Sequence, residues 1–177
     1  MSTETPNTFE DVVEKYSAFV YNIALRMTSN THDAEDITQE AFIDAFRAWD
    51  RFRGESQVST WLYRIAINRS LMKLRKEKKS RQIMQEGLED QDVVDWGEGP
   101  ERAALTAELR HRMEDGLRLV PKELRAAVVL RDVQGLSTTE AAEVLGITES
   151  ALKARLHRGR LLLRKYLEDY VRAAGGG

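Results

Sequence analysis

LSTTEAAEVLGITESALKARLHRGRLLLRK, residues 136–165, decides the fold. Ser137 and, three residues on, Glu140 form a capping box that starts a helix at Thr138. Ala141, Ala142, Val144 and Leu145 give that helix a small apolar inner face. Gly146 then ends it, because glycine accepts the left-handed conformation a helix stop requires. Ile147 is expected as the buried plug of the corner, and Thr148 as the cap of a second helix. In that helix Leu152, Leu156, Gly159 and Leu163 recur at spacings that form one inner stripe. The outward positions are Glu149, Ser150, Lys153, Ala154, His157 and Arg158, with Arg155 and Arg160 at the flanks.

A short helix, a glycine corner and a longer basic helix spell a helix-turn-helix, whose second helix can enter the major groove. Lysine and arginine there donate to guanine O6 and N7 or to phosphates. The competing reading is an ordinary helical hairpin with a solvated basic face. The clustering of basic residues on the second helix favours the first.

The chain has 177 residues, room for one medium domain or two small ones. Charged residues make up 32%, as in a soluble protein, and no window approaches the apolar run of a membrane span. The start, MSTETPNTFEDVVEKY, lacks the basic-then-apolar order of a signal peptide, so a cytoplasmic location is expected. Cysteine is absent, which excludes disulfides, zinc ribbons and thiol redox sensing. With three prolines and no alternating β-type run, the fold class is read as all-α.

The net charge of −2 conceals a strong pattern. Between Arg64 and Arg81 stand Arg69, Lys73, Arg75, Lys76, Lys78 and Lys79 against Glu77 alone. Between Glu86 and Glu101 the chain is acidic, and from Lys153 to Lys165 it is basic again.

Thr8 and Asp11 open the first helix, with Phe9, Val12, Val13, Tyr16, Val20, Ile23, Ala24 and Met27 as core. The next helix follows SNTHDAED and runs to about Trp49. Its inner face reads Ala34, Ile37, Ala41, Ala45, Phe46 and Trp49, its outer acidic face Asp36, Gln39, Glu40, Ile43 and Asp44. RFRGESQVS is a connector that leaves Phe52 and Arg53 in exposed chain. A third helix, about Val58 to Lys79, is expected to turn Trp61, Leu62, Ile65 and Met72 inward. Arg64, Asn68 and Arg75 share another side, with Trp61 at its edge. An aromatic, an amide and arginines on one stripe suit unpaired bases and their phosphates. A core tryptophan beside a solvated basic helix accounts for the pattern equally well.

Residues 82–100 read as a flexible acidic linker containing a small apolar island, Val93, Val94 and Trp96. After it, Ala104, Leu105, Leu109, Met113, Leu117 and Leu119 mark one helix, and Pro121 opens another in which Leu124, Ala127, Val128 and Leu130 pack. The organisation is thus two small helical domains, 1–81 and 101–173, with 174–177 as a disordered tail. Fully extended, about nineteen linker residues reach at most roughly 60 Å. A duplex turn is about 34 Å, so two DNA-binding modules can share sites around two turns apart. The bottom-up expectation is a bipartite reader of one promoter-sized site.

DAEDITQEAF (33–42), FRGESQVSTWLYRIAINR (52–69) and the series LVPKELRAAVVLRDVQGLSTTEAAEVLGITESALKARLHRGRLLLRKYL (119–167) resemble bacterial sigma factors. The resemblance is to the small two-domain extracytoplasmic-function (ECF) group of the sigma-70 family, and it spans nearly the whole chain in order. It implies that 101–173 reads the −35 element through Glu149, Ser150, Lys153, Ala154, Arg155, His157 and Arg158. It implies that Phe52, Arg53, Trp61, Arg64, Asn68, Arg69 and Arg75 recognise and melt the −10 element. Asp36, Gln39, Glu40, Ile43 and Asp44 match the surface that docks on the clamp helices of the polymerase largest subunit. The implied partners are core RNA polymerase (clamp helices and flap), promoter DNA and an anti-sigma factor. No covalent chemistry, metal or cofactor is implied, and any signal is expected to arrive through a partner.

Two departures carry expectations. Housekeeping sigma factors place paired aromatics at the melting helix, whereas Trp61 is followed here by Leu62, which predicts weaker melting and narrower promoter choice. Ala154 stands where many relatives have a small polar residue, which suits contact with a thymine methyl. Two rival readings are a stand-alone helix-turn-helix regulator acting without polymerase, and a di-iron site at Glu108 and His111. The second needs another E-x-x-H pair, which the chain lacks, as well as further carboxylates.

Overall fold

The computed structural model describes residues 8–77 and 107–175, all-α throughout that range with no strand among the described residues. The acidic stretch 82–100 and its apolar island lie outside them. Two compact units divide near Leu74.

In the N-terminal unit, helix α1 (Phe9–Thr28) starts at the expected capping box. The Asp11 N–H donates to Thr8 Oγ1 at 3.2 Å, and the Thr8 N–H to Asp11 Oδ2 at 3.1 Å. Ser29 adopts a left-handed conformation (φ 54°), and Asn30 caps α2 (Thr31–Ala48) by accepting from the Asp33 N–H at 3.0 Å. Such a tight corner makes the two helices antiparallel neighbours. Val12, Val20, Ile23, Ala24 and Met27 of α1 and Ala34, Ile37, Ala41 and Ala45 of α2 are buried. The alanines keep the second helix thin on that side. A 3₁₀ turn (Trp49–Arg51) and a loop with Gly54 at φ 71° lead to α3 (Val58–Glu77). Its Leu62, Tyr63, Ala66, Ile67 and Ser70 are buried, and the Tyr63 ring lies 4.1 Å from that of Phe19 on α1.

The C-terminal unit comprises α4 (Ala107–Leu119), α5 (Lys122–Val128), a π-helical turn (Val129–Val133), α6 (Thr138–Leu145) and α7 (Glu149–Gly175). Where α4 ends, buried Arg125 reaches back. Its Nη2 donates to Arg118 O at 3.0 Å and Val120 O at 2.9 Å, and its Nε to Val120 O at 3.2 Å. Burial, with the Arg118 charge second, lowers this guanidinium to about 10, so it still enters the core as a cation at neutral pH. The three bonds offset that desolvation and satisfy carbonyls a helix end leaves open.

The corner between α6 and α7 forms as the sequence requires. Ser137 and Glu140 make both capping-box bonds. Gly146 is left-handed (φ 64°), the Ile147 N–H donates to Ala142 O at 3.1 Å, and Thr148 Oγ1 accepts from the Ala151 N–H at 3.1 Å. Leu152, Leu156, Gly159 and Leu163 are all buried. Gly159 is there because α5 leaves no room: a β-carbon would stand 2.7 Å from Val128 Cγ2 and 3.2 Å from Leu124 O. Gly116 plays the same part for α4 against Tyr166.

Several apolar expectations are corrected. Phe46 is 64% exposed, because it lies one position round from the Ala41–Ala45 face and meets Phe9 only by its edge. Met72 is 47% exposed, since it stands opposite buried Ser70 on α3. Leu119 is 52% exposed at the end of α4, two positions from buried Leu117. Ile147 is half-buried rather than a sealed plug, and Ile65 is half-buried too. The expected tail at 174–177 is helical through Gly175.

Candidate nucleic-acid interface

On α7, Glu149, Ser150, Lys153, Ala154 and Arg158 are exposed on the side away from the leucine stripe, with Arg155 and His157 half-buried beside them. The first turn of the helix therefore offers an acid, a hydroxyl and a lysine, and the next turns offer arginines and an imidazole. Thr139 of α6 reaches this face: its Oγ1 donates to Glu149 Oε1 at 2.7 Å. Arg160, at the flank in the sequence, does not belong to the face. Its Nε and Nη2 donate to the two Asp132 carboxylate oxygens at 2.9 and 2.6 Å, tying α7 to the π-helical turn. Arg131 in that turn donates to Leu136 O at 2.8 Å, closing the loop that carries Asp132.

The second surface lies on α3. Arg64, Asn68 and Arg75 are exposed along one stripe, and Met72, expected inward, falls between the last two. Trp61 at the near end is half-buried. Its ring centroid stands 4.8 Å from Phe52 and 6.1 Å from Trp49. Phe52 also lies nearly parallel to Trp49, centroids 5.9 Å apart with 9° between planes. The connector aromatic is thus seated on two tryptophans, and Arg53 beside it is exposed. A ring platform edged by an amide and arginines suits splayed bases and their phosphates.

Arg69 is placed elsewhere. It donates to Asp44 through Nε at 2.5 Å and Nη2 at 2.7 Å, and its Nη1 lies 3.6 Å from Glu40. Hydrogen bonding to Asp44 holds this guanidinium more basic than usual, and the same bond holds Asp44 below the ordinary carboxylate range. The geometry therefore groups Arg69 with Glu40 and Asp44 on the acidic face of α2, not with Arg64 and Asn68. On that face Gln39, Glu40 and Ile43 are exposed, and Asp36 is half-buried 3.7 Å from His32. Lys73 makes a further tie from α3, 3.6 Å from Asp33. Asp132, Arg125, Lys73 and Thr139 escaped the sequence reading, since only a distant partner reveals their roles.

Among the described residues no group of three or more His, Asp or Glu side chains could hold a metal ion. His111 faces Asp115 at 3.7 Å instead, and the Glu108 side chain lies outside the described set.

The family model of Sigma-70 region 2 matches residues 12–80, and that of Sigma-70 region 4 matches residues 110–163. The chain is 38% identical to the ECF RNA polymerase sigma factor SigW of Bacillus subtilis, over 91% of its own length and 89% of that protein's. The chain belongs to the sigma-70 family, in its ECF group. It is 33% identical to the RNA polymerase sigma-H factor of Pseudomonas aeruginosa, with 94% of this chain and 89% of that one covered. Among solved structures, CnrH in complex with the cytosolic domain of CnrY matches at a TM-score of 0.64 and 25% identity, covering 91% of this chain and 88% of that one. The sigma factor RpoE of Bartonella quintana, solved with the anti-sigma factor NepR, shares the fold at a TM-score of 0.65 and 21% identity, with 90% and 96% covered. This ECF sigma factor binds core RNA polymerase and directs promoter-specific transcription initiation, so the stand-alone regulator is not favoured. No described helix is long and apolar enough to cross a membrane.

Proposed function

We propose that the two exposed surfaces divide the promoter between them. The α7 face, Glu149, Ser150, Lys153, Ala154, Arg155, His157 and Arg158, reads the −35 duplex in the major groove. The α3 stripe of Arg64, Asn68 and Arg75, with Trp61 and the Phe52–Arg53 loop, captures unstacked −10 bases. Asp36, Gln39, Glu40, Ile43 and Asp44 dock on the clamp helices, and Arg69 supports that face by orienting Asp44. In this reading 1–81 and 101–173 are the working modules and 82–100 connects them.

The observation that carries the reading is the seat of Phe52 on Trp49 and Trp61 at the head of the exposed α3 stripe. Extruding a base costs a few kcal/mol. Stacking returns ~1–3 kcal/mol per base, and polymerase contacts supply the rest. The work is binding work, with no bond made or broken by the protein, and it takes place in the cytoplasm alongside the polymerase. The complex of the structural relative RpoE with the anti-sigma factor NepR supports an anti-sigma factor as the regulator of this chain as well.

In vitro transcription with and without core polymerase tests the scheme. The chain alone is expected to bind promoter weakly, and adding core to yield start-specific transcripts. Asn68→Ala is expected to retain core binding while lowering open-complex formation. Unchanged permanganate reactivity at the start site would remove Asn68, and with it the stripe, from the melting step.

A further inference from the structure

Thr139 and Glu149 stand on different helices of the helix-turn-helix, ten residues apart, yet share a 2.7 Å hydrogen bond on an exposed surface. Glu149 is the first residue of α7, at the end of the proposed reading face; Thr139 is the second residue of α6. An unrestrained glutamate here would swing out, because the DNA phosphates repel it and its side chain has several free torsions. The Thr139 hydroxyl opposes that motion and engages Oε1. The other carboxylate oxygen is left as an acceptor, the only role an ionised carboxylate has.

Major-groove chemistry then narrows the target. Cytosine presents the N4 amino donor alone, and glutamate accepts from it. Guanine offers two acceptors and thymine one, all of which repel a carboxylate. Adenine couples its donor to the N7 acceptor alongside. We propose that Thr139 is a positioning residue that fixes Glu149 so that its second carboxylate oxygen selects cytosine at one base pair of the −35 element. This rests on the reading of α7 given above. The positive end of α7 favours an acid at this position whatever the DNA sequence. That effect does not distinguish bases, so base preference is the readout that separates the two roles.

The test uses the full chain with core polymerase on a promoter pool randomised across the upstream element, with transcripts sequenced. The wild type and Thr139→Ser are expected to prefer cytosine at one position by roughly tenfold, within the range of a single well-placed base contact. With Thr139→Val that preference falls to roughly threefold or less, while the other positions keep theirs. Glu149→Gln moves the preference toward adenine, whose N6 and N7 an amide can pair together. A Thr139→Val profile superimposable on the wild type, or a cytosine preference surviving Glu149→Gln, overturns the proposal and leaves −35 reading by α7 standing. A pool with no upstream preference for any of the proteins removes that reading and the proposal together.

Discussion

Among the described residues each unit is fastened by a two-pronged arginine–aspartate pair, and the two pairs are not alike. Arg160 and Asp132 are only 13% and 17% exposed, whereas Arg69 and Asp44 are 29% and 30% exposed. The deeper pair sits where α7 also meets α5 across a glycine, so the roll of the reading helix is fixed from two directions. Both units leave large apolar side chains in the open, Ile43, Phe46 and Met72 in the first and Leu119, Val133 and Val171 in the second, but exposed Phe46 and the seat of Phe52 on two tryptophans belong to the unit with the shallower pair. A helix that must match a duplex groove gains from being rigid before it binds. A surface that takes up unstacked bases and a large partner gains from exposed apolar and aromatic groups. The difference between the pairs fits the division of labour proposed above.

The sharpest way to break the comparison is Asp132→Ala. It removes the two-pronged partner of a mostly buried guanidinium, at an expected cost of about 2–3 kcal/mol. Hydrogen exchange of the intact chain should show lost protection in α5 and α7 and none lost in α1 and α2. Equal loss in both units would mean that the pair does not act locally. Next in size is Gly159→Ala. Helix propensity favours alanine by about 1 kcal/mol, but the 2.7 Å approach to Val128 forces α5 away, for a net loss of about 1–2 kcal/mol. A more stable variant by thermal unfolding would show that the interface yields easily.

The smallest effect belongs to Asp44→Asn, about 1 kcal/mol or less given the partial exposure of the pair. Its pH dependence has a definite sign. The Arg69 hydrogen bond holds the Asp44 pKa below its unfolded value, so the stabilisation is fully present above the ordinary carboxylate range. It disappears as pH falls through the folded value. Wild type and variant should therefore differ most at neutral pH and converge in acid, as read by urea midpoints across the range. A gap that widened in acid would contradict the pairing.

Local devices were legible in advance, among them both capping boxes, the Gly146 stop, the Thr148 cap and the α7 stripe. Each depends on residues within a few positions of one another, where backbone geometry leaves few choices. Phe46, Met72 and Leu119 were misplaced because hydrophobicity does not say which of two neighbouring helix positions faces the partner helix. The sequence groups Arg69 with the −10 charges and puts Arg160 at the flank of the α7 face, because a solvated arginine and a paired one look identical in sequence. Their aspartates lie 25 and 28 residues away.

The order of helices, their capped starts, the glycine corner and the membership in a family were therefore determined by the sequence alone, since all rest on short-range conformational rules or on whole motifs read in order. Tertiary structure alone decided which charges are free to meet a partner and which are consumed inside the fold. It also seated Phe52 on two tryptophans and brought Thr139 to Glu149. Those outcomes depend on the distance and angle between helices, quantities set by packing and written at no single position of the chain.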